Sequence, residues 1–312
     1  MASFKSRMFN FFIRNAHLLR GRLRKETFDF TTSIEGFRDR CEKGARRFGS
    51  IPSGVEIKQE TIEGMKCEWH TPDDAASGKV ILYVHGGGYV SGSCSDHRGF
   101  VARFAVNTGV VCLIFEYRLA PEHPFPAAVD DSVAMYQWLL GQGFAAEHIL
   151  LAGESAGGGL CLATLLALKE RGVPMPAAAV AISPWTDLTC SSASYTTKNR
   201  VSPAPLNSWN VFSAYYAGKH DAAHPLISPL FGDLHGLPPL LINSAVDDEL
   251  FEDGEKYFLK AQAAGVDISF SRGDGMVHCY PLLAPMFREA TEAMDEIVAF
   301  IRRQLGLPGK QP

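Results

Sequence analysis

The stretch Gly153-Glu154-Ser155-Ala156-Gly157 constrains this 312-residue chain more than any other. It has the spacing Gly-x-Ser-x-Gly, follows the apolar run Ile149-Leu150-Leu151-Ala152, and leads into a helix-like segment from Gly158 to Lys169. A buried strand that turns at once into a helix leaves no room for bulky side chains, so small residues flank the serine. Such a turn is a nucleophile elbow, which lifts one hydroxyl to where a carbonyl can reach it. The plainer alternative is a helix start with Ser155 as its cap; the strand before and the helix after favour the elbow.

Upstream, the apolar run Val80-Ile81-Leu82-Tyr83-Val84 has the character of a parallel strand buried on both faces. It runs into His85-Gly86-Gly87-Gly88-Tyr89. Adjacent glycines are entropically costly, and they make sense where bare backbone N–H groups must approach a ligand. A phosphate cradle would end in Lys-Ser or Lys-Thr, which Tyr89-Val90-Ser91 does not supply. The loop reads instead as an oxyanion hole, with donors from Gly87 and Gly88 joined by the N–H of Ala156.

A serine nucleophile needs a base, and the base needs an orienting carboxylate. His278, in Gly275-Met276-Val277-His278, follows a short strand pattern at Val266–Phe270 and precedes the last helical pattern. Acid candidates lie in Val246-Asp247-Asp248-Glu249-Leu250, directly after the apolar strand Pro239-Leu240-Leu241-Ile242. The chain order is Ser, Asp, His.

With these pieces in place, the chain resembles the hormone-sensitive-lipase-like branch (family IV) of the α/β-hydrolase carboxylesterases. The resemblance rests on His85-Gly86-Gly87-Gly88, Gly153-Glu154-Ser155-Ala156-Gly157 and the run from Tyr117 to Ala128 that contains Ala120-Pro121-Glu122-His123-Pro124. Ser183-Pro184-Trp185-Thr186-Asp187-Leu188, Leu237-Pro238-Pro239 and Gly275-Met276-Val277-His278 also match. In that family the acid opens an Asp-Pro-Leu-x-Asp-x-Gly motif 30 residues before the histidine. Asp248 meets this spacing, with Leu250 and Gly254 in register; Glu249 and Glu252 depart from the pattern, and Asp247 is the neighbouring alternative. Glu154 stands where relatives carry Asp or Thr, and is expected to brace neighbouring loops. His85 is expected to shape the glycine loop, and Glu122 and Asp131 to brace others. The implied fold is an α/β-hydrolase: a mostly parallel sheet flanked by helices, with a helical cap.

Alternating strand and helix patterns from residue 56 onward agree with such a sheet. Leading strands are expected at 56–61 and 65–70, then strands at 80–84, 110–115, 149–152, 178–182, 240–243 and 266–270. Helices are expected near 95–107, 126–142, 158–171, 253–264 and 285–305. Residues 1–50 and 188–225 interrupt the alternation. Under the resemblance they form the two parts of a cap over core halves 51–187 and 226–312, with Tyr89, Trp209, Phe212 and Tyr216 as candidates to line the substrate site.

Residues 1–25 hold seven basic groups and no acid. Phe4, Met8, Phe12, Leu19 and Leu23 fall near one helical face. The segment reads either as an interfacial helix drawn to a lipid surface or as a cap helix with a solvated basic face. No stretch reaches the length of a membrane span. Seven scattered cysteines without a Cys-x-x-Cys pair fit free thiols and cytoplasmic residence; Cys279, beside His278, reads as a small buried filler. A net charge of −4 gives no nucleic-acid footprint.

The expected chemistry is hydrolysis of short- to medium-chain carboxylic esters through an acyl-enzyme, with no metal and no cofactor. The same scaffold could serve an amidase or formamidase, or a non-catalytic small-ligand receptor; the presence of His278 weighs against the last. The resemblance also implies a homodimer pairing through the last strand.

Overall fold

Strands that are apolar on every residue need cover on both faces, and this chain supplies it with helices between nearly every pair of strands. The computed structural model describes residues 2–19 and 23–309, apart from the side chains at 16, 19 and 46–48. Three helices come first: α1 (Phe4–Arg14), α2 (Ala16–Leu19) and α3 (Ile34–Phe48). The hairpin of β1 (Val55–Ile62) and β2 (Met65–Pro72) follows, then β3 (Val80–Val84), α4 (Cys94–Thr108) and β4 (Val111–Phe115). After α5 (Ala127–Gly141) come β5 (Ile149–Glu154), α6 (Ala156–Glu170) and β6 (Ala178–Ile182). Short α7 (Ser194–Thr197) and α8 (Ser208–Ala217) precede β7 (Leu240–Ala245), α9 (Phe251–Ala263), β8 (Ile268–Gly273) and α10 (Arg288–Gln304).

The strands form one eight-stranded sheet in the order β1-β2-β4-β3-β5-β6-β7-β8. β1 and β2 pair antiparallel, β2 joins β4 antiparallel, and every pairing from β4 across to β8 is parallel. Alternation along β3 divides the interior into two layers. Val80, Leu82 and Val84 face the side covered by α5, α6 and α9. Ile81 and Tyr83 face Val101 and Phe104 of α4 and Ile297 and Ile301 of α10. The carboxyl ends of β5, β7 and β8 therefore open on one edge, where the loops carrying Ser155, Asp248 and His278 begin.

The two parts outside the alternation meet each other. Thr27 bridges Leu206; the Phe28 N–H donates to the Leu206 carbonyl at 2.8 Å, and the Leu206 N–H donates to the Glu26 carbonyl at 2.9 Å. The Phe212 ring packs against Phe28 at 4.8 Å and Phe37 at 5.4 Å between centroids.

Two sequence expectations shift. The last strand begins at Ile268, not Val266, because Val266 finishes the preceding helix. Its N–H donates to the Ala261 carbonyl, that of Gly265 donates to Gln262, and Gly265 takes φ +75°. This is a Schellman ending, with buried Val266 as its apolar contact. At the amino end, α1 stops at Arg14, so Leu19 and Leu23 are not on one helix with Phe4, Met8 and Phe12. Leu19's side chain lies outside the described residues; Leu23 is exposed.

A methyl group at Gly265 would meet no atom within 4 Å, so Gly265→Ala isolates the backbone cost of the left-handed conformation. It is expected to lower unfolding free energy by about 1–2 kcal/mol in a urea titration, with ester turnover unchanged.

Candidate active site

Ser155 sits between β5 and α6 at φ 56°, ψ −124°, a conformation that costs a non-glycine residue about 1–3 kcal/mol. Surrounding bonds hold it there. Its N–H donates to the Ile182 carbonyl at 2.8 Å, and its own carbonyl accepts from the N–H groups of Trp185 and Gly159, each at 3.0 Å. The turn tolerates only hydrogen at Gly157, where a Cβ would lie 2.1 Å from the Val84 carbonyl oxygen.

The loop after β8 brings His278 to the loop after β7. Its Nδ1 lies 2.6 Å from Asp248 Oδ2. Asp248 is fully buried, and its second oxygen accepts from the Leu250 N–H at 3.3 Å. Asp247 turns away into an ion pair with Arg14 at 2.5 Å and with Lys198 at 3.6 Å. The structure thus separates the two adjacent acids, and only Asp248 meets the imidazole. Burial disfavours a charged His278 ring, but the Asp248 carboxylate outweighs it and holds the pKa well above the ordinary histidine value. Burial also pushes the Cys279 thiol up, so it stays neutral beside the ring.

Ser155 and His278 line one cavity of about 450 Å³. The Ile182 carbonyl that accepts from the Ser155 N–H also lies 4.0 Å from Cys279 Sγ, which ties the two loops together. The Ser155 hydroxyl makes no hydrogen bond to the His278 ring here; catalytic hydrogen bonds are often long before substrate binds and tighten afterwards.

The loop after β3 forms another wall, with Gly86, Gly87 and Gly88. Among the described residues, the N–H groups of Gly87 and Gly88 donate to no protein acceptor. A Cβ at Gly88 would fall 2.4 Å from the Phe212 ring. Ala156 is buried at the first turn of α6, directly behind Ser155, and is not part of the cavity wall. Helix first-turn N–H groups have no partner within the helix, so its donor is of the right kind.

Glu154 organises this loop. Its Oε1 accepts from the Gly86 N–H at 2.5 Å and meets His97 Nε2 at 2.8 Å. The Tyr83 hydroxyl stands close enough to help lower the carboxyl pKa, though outside direct hydrogen-bond geometry. On its other side His97 bonds Asp96, which closes a capping box with Ser93 at the start of α4. Burial works against a charged His97, but Glu154 and Asp96 outweigh it and raise its pKa well above the usual value. Glu154 and Asp96 are correspondingly lowered against their own burial. The protonated ring therefore contributes stability that is complete below the ordinary histidine pKa and is lost as pH rises through the raised one. His85 lies behind the loop, with Nδ1 2.8 Å from the Gly86 carbonyl and its ring stacked on Tyr117 at 4.2 Å. Burial lowers its pKa to about 4, so it is neutral.

Of the four residues expected to line the substrate site, Trp209 and Phe212 do so. Trp209 is held by a 3.0 Å bond from its indole N–H to Glu249. Tyr89 and Tyr216 do not. Their rings stack on each other at 3.7 Å, buried in the core, because the ring faces are satisfied by one another rather than by a ligand. The sequence reading missed Phe37, Cys41, His97 and Leu283, which do line the cavity. For His97 a signal existed in the Ser93-x-x-Asp96 cap; for the others nothing short of the fold could reveal them.

Other carboxylates brace the surroundings. Arg38 of α3 grips Glu122 with two nitrogens, at 2.9 and 2.8 Å, and bonds the Val90 and Ala120 carbonyls. Arg118 pairs with Asp131 at 2.7 Å. Asp253, unremarked in the sequence, accepts from the N–H groups of Thr186 and Asp187 and from the Tyr195 hydroxyl.

Two outcomes follow from this electrostatics. Because the raised His278 pKa belongs to the protonated ring and a base must be neutral, kcat/KM is expected to rise with pH through an apparent pKa above 6.5. Asp248→Asn should move that limb to lower pH and cut the rate on the order of a thousandfold or more, whereas Asp247→Asn should leave both nearly unchanged. Glu154→Gln keeps an acceptor for Gly86 but removes the charge that holds His97. Steady-state kinetics should show kcat falling by up to about a hundredfold with KM little altered.

Comparison with known proteins agrees with this architecture. Residues 81–282 match the family described as the α/β-hydrolase fold. An acetyl-hydrolase of Streptomyces hygroscopicus is 39% identical over 272 residues, covering 86% of this chain and 88% of that protein. The crystal structure of an esterase/lipase from an uncultured bacterium superposes with a TM-score of 0.88 at 38% identity, over 98% of this chain and 100% of the other. That of an esterase from the bacterial hormone-sensitive lipase family gives 0.89 at 34% identity, with the same coverage. With its parallel sheet, its strained serine turn and its glycine loop, this chain belongs to the α/β-hydrolase fold family, in the hormone-sensitive-lipase-like branch of carboxylesterases.

Proposed function

We infer that this protein is a carboxylesterase acting on short- to medium-chain carboxylic esters through an acyl-enzyme. The observation that carries the reading is the 2.6 Å bond between His278 and buried Asp248, in the cavity that also holds Ser155 on its strained turn and the free N–H groups of the glycine loop. Ser155 Oγ attacks the ester carbonyl while His278 takes its proton. The Gly87, Gly88 and Ala156 N–H groups stabilise the oxyanion. The C–O bond to the leaving group breaks as His278 returns the proton to the alcohol. Water then attacks the acyl-enzyme, its proton passing to His278 and on to Ser155 Oγ as the acid departs. Asp248 keeps the ring oriented and stabilises its charged form.

The size of the acyl group follows from the walls. The cavity of about 450 Å³ is bounded by Phe37, Trp209, Phe212, Leu282 and Leu283, enough apolar surface for a small acyl chain. The similarity to an acetyl-hydrolase supports the short end of that range. Seven free thiols support cytoplasmic residence. β8 lies at the edge of the sheet with Ile268, Ser269 and Phe270 half-buried, which supports a dimer through that strand.

A serine-directed fluorophosphonate is expected to label the wild type once, at Ser155. Ser155→Ala should lose the label and on the order of a thousandfold or more of the activity. Across an acyl series of aryl esters and matched anilides, acetyl to hexanoyl esters should be turned over fastest. Labelling that persists without Ser155 would remove the nucleophile from this reading, and anilides cleaved as readily as esters would make the protein an amidase.

A further inference from the structure

Helix α1 is oriented opposite to an ordinary surface helix. The two residues it buries fully are polar, Ser6 and Asn10, with Phe9 half-buried beside them against Phe287. Polar bonds fasten it. Asn10 donates to the Gly275 carbonyl at 2.6 Å, Ser3 at its cap bonds Glu289, and Arg14 pairs with Asp247. Its outward face is apolar, with Phe4, Met8, Phe11 and Phe12 at 79, 47, 63 and 47% exposure. At 3.6 residues per turn these four fall within an arc of about 100°. Lys5 and Arg7 border the arc, one on each side, and among the described residues neither meets a carboxylate.

We propose that α1 is a membrane-docking helix for bilayers that carry anionic phospholipid. It lies in the interface plane, with the three phenylalanines and Met8 among the acyl chains and Lys5 and Arg7 at the headgroups. A contiguous exposed apolar stripe marks an interaction site, and charge selects its occupant. The first 25 residues carry seven basic groups and no acid, in a chain of net charge −4. A second copy placed on the stripe would set Lys5 and Arg7 against their own kind, whereas an anionic lipid surface complements them.

The docked face adjoins the catalytic loops. Gly275, which accepts from Asn10, is in the loop of His278, and Asp247, which binds Arg14, is beside Asp248. Phe9 packs in the same apolar cluster as Leu283, and Leu283 lines the cavity. Docking therefore brings the cavity close to the bilayer, where apolar esters concentrate. This consequence rests on the ester-hydrolase reading; the binding itself does not.

The test is co-sedimentation of the full chain with vesicles of phosphatidylglycerol mixed equally with phosphatidylcholine, and with phosphatidylcholine alone. The wild type should bind the mixed vesicles about tenfold or more tightly than the neutral ones, and lose that preference at high salt. The variant Phe4→Ser/Phe11→Ser/Phe12→Ser should lose binding about tenfold or more, and Lys5→Glu/Arg7→Glu should lose the anionic preference. Both should hydrolyse a soluble aryl acetate like the wild type, since these side chains touch neither the cavity nor the triad. Wild type that stays in the supernatant overturns the proposal. So does a serine variant that sediments undiminished, or light scattering that shows the stripe joining two copies while vesicles bind neither. A wild type that sediments but cleaves no soluble ester upholds docking and overturns the catalytic reading instead.

Discussion

The turn at Ser155 is the constraint on which the rest of the site depends. A strand can pass into a helix within one residue only if that residue takes a conformation it would not choose and its neighbours carry almost no side chain. The strain is held by a short list of bonds, to Ile182, Trp185 and Gly159, and by the close approach of Gly157 to the Val84 carbonyl. β3 must therefore lie beside β5, as it does. That adjacency places the glycine loop after β3 next to the serine after β5, so one packing requirement brings both Ser155 and the loop's free N–H groups to one cavity.

Two histidines flank the cavity, each paired with carboxylate, and their tasks diverge because their surroundings do. His278 has one buried carboxylate, Asp248, on Nδ1, and no carboxylate on its other nitrogen, which is what a proton-transferring base requires. His97 is bonded by carboxylates on both nitrogens, Asp96 and Glu154, so it has no nitrogen to spare. It serves as a fixed cation that keeps Glu154 charged and Glu154 bonded to the glycine loop. The glutamate at this position thus links two walls of the site: its backbone leads into Ser155, and its side chain holds the Gly86 N–H.

Much of the fold was legible in the sequence because parallel strands buried on both faces leave unbroken apolar runs. Val80–Val84 and Ala178–Ile182 begin and end where their hydrophobicity does. Boundaries slipped where an apolar residue had another task, as Val266 does in closing α9. The meeting of Ser155, His278 and the glycine loop at one cavity was legible because each follows a strand of the sheet. The aromatic lining was not. Trp209, Phe212, Tyr89 and Tyr216 are all large aromatics in plausible places, yet two line the cavity and two stack on each other.

The sequence by itself determined the alternation of strand and helix, the turn that carries Ser155, and the order serine, aspartate, histidine along the chain, since all of these are local patterns or strings of residue types. Only the tertiary structure decided which of two adjacent aspartates meets His278, that His97 stands between Asp96 and Glu154, and that α1 turns its polar side inward. Each of these depends on which distant group a side chain faces. A shift of one residue turns a helical side chain by about 100° onto a different neighbour while leaving composition and periodicity untouched.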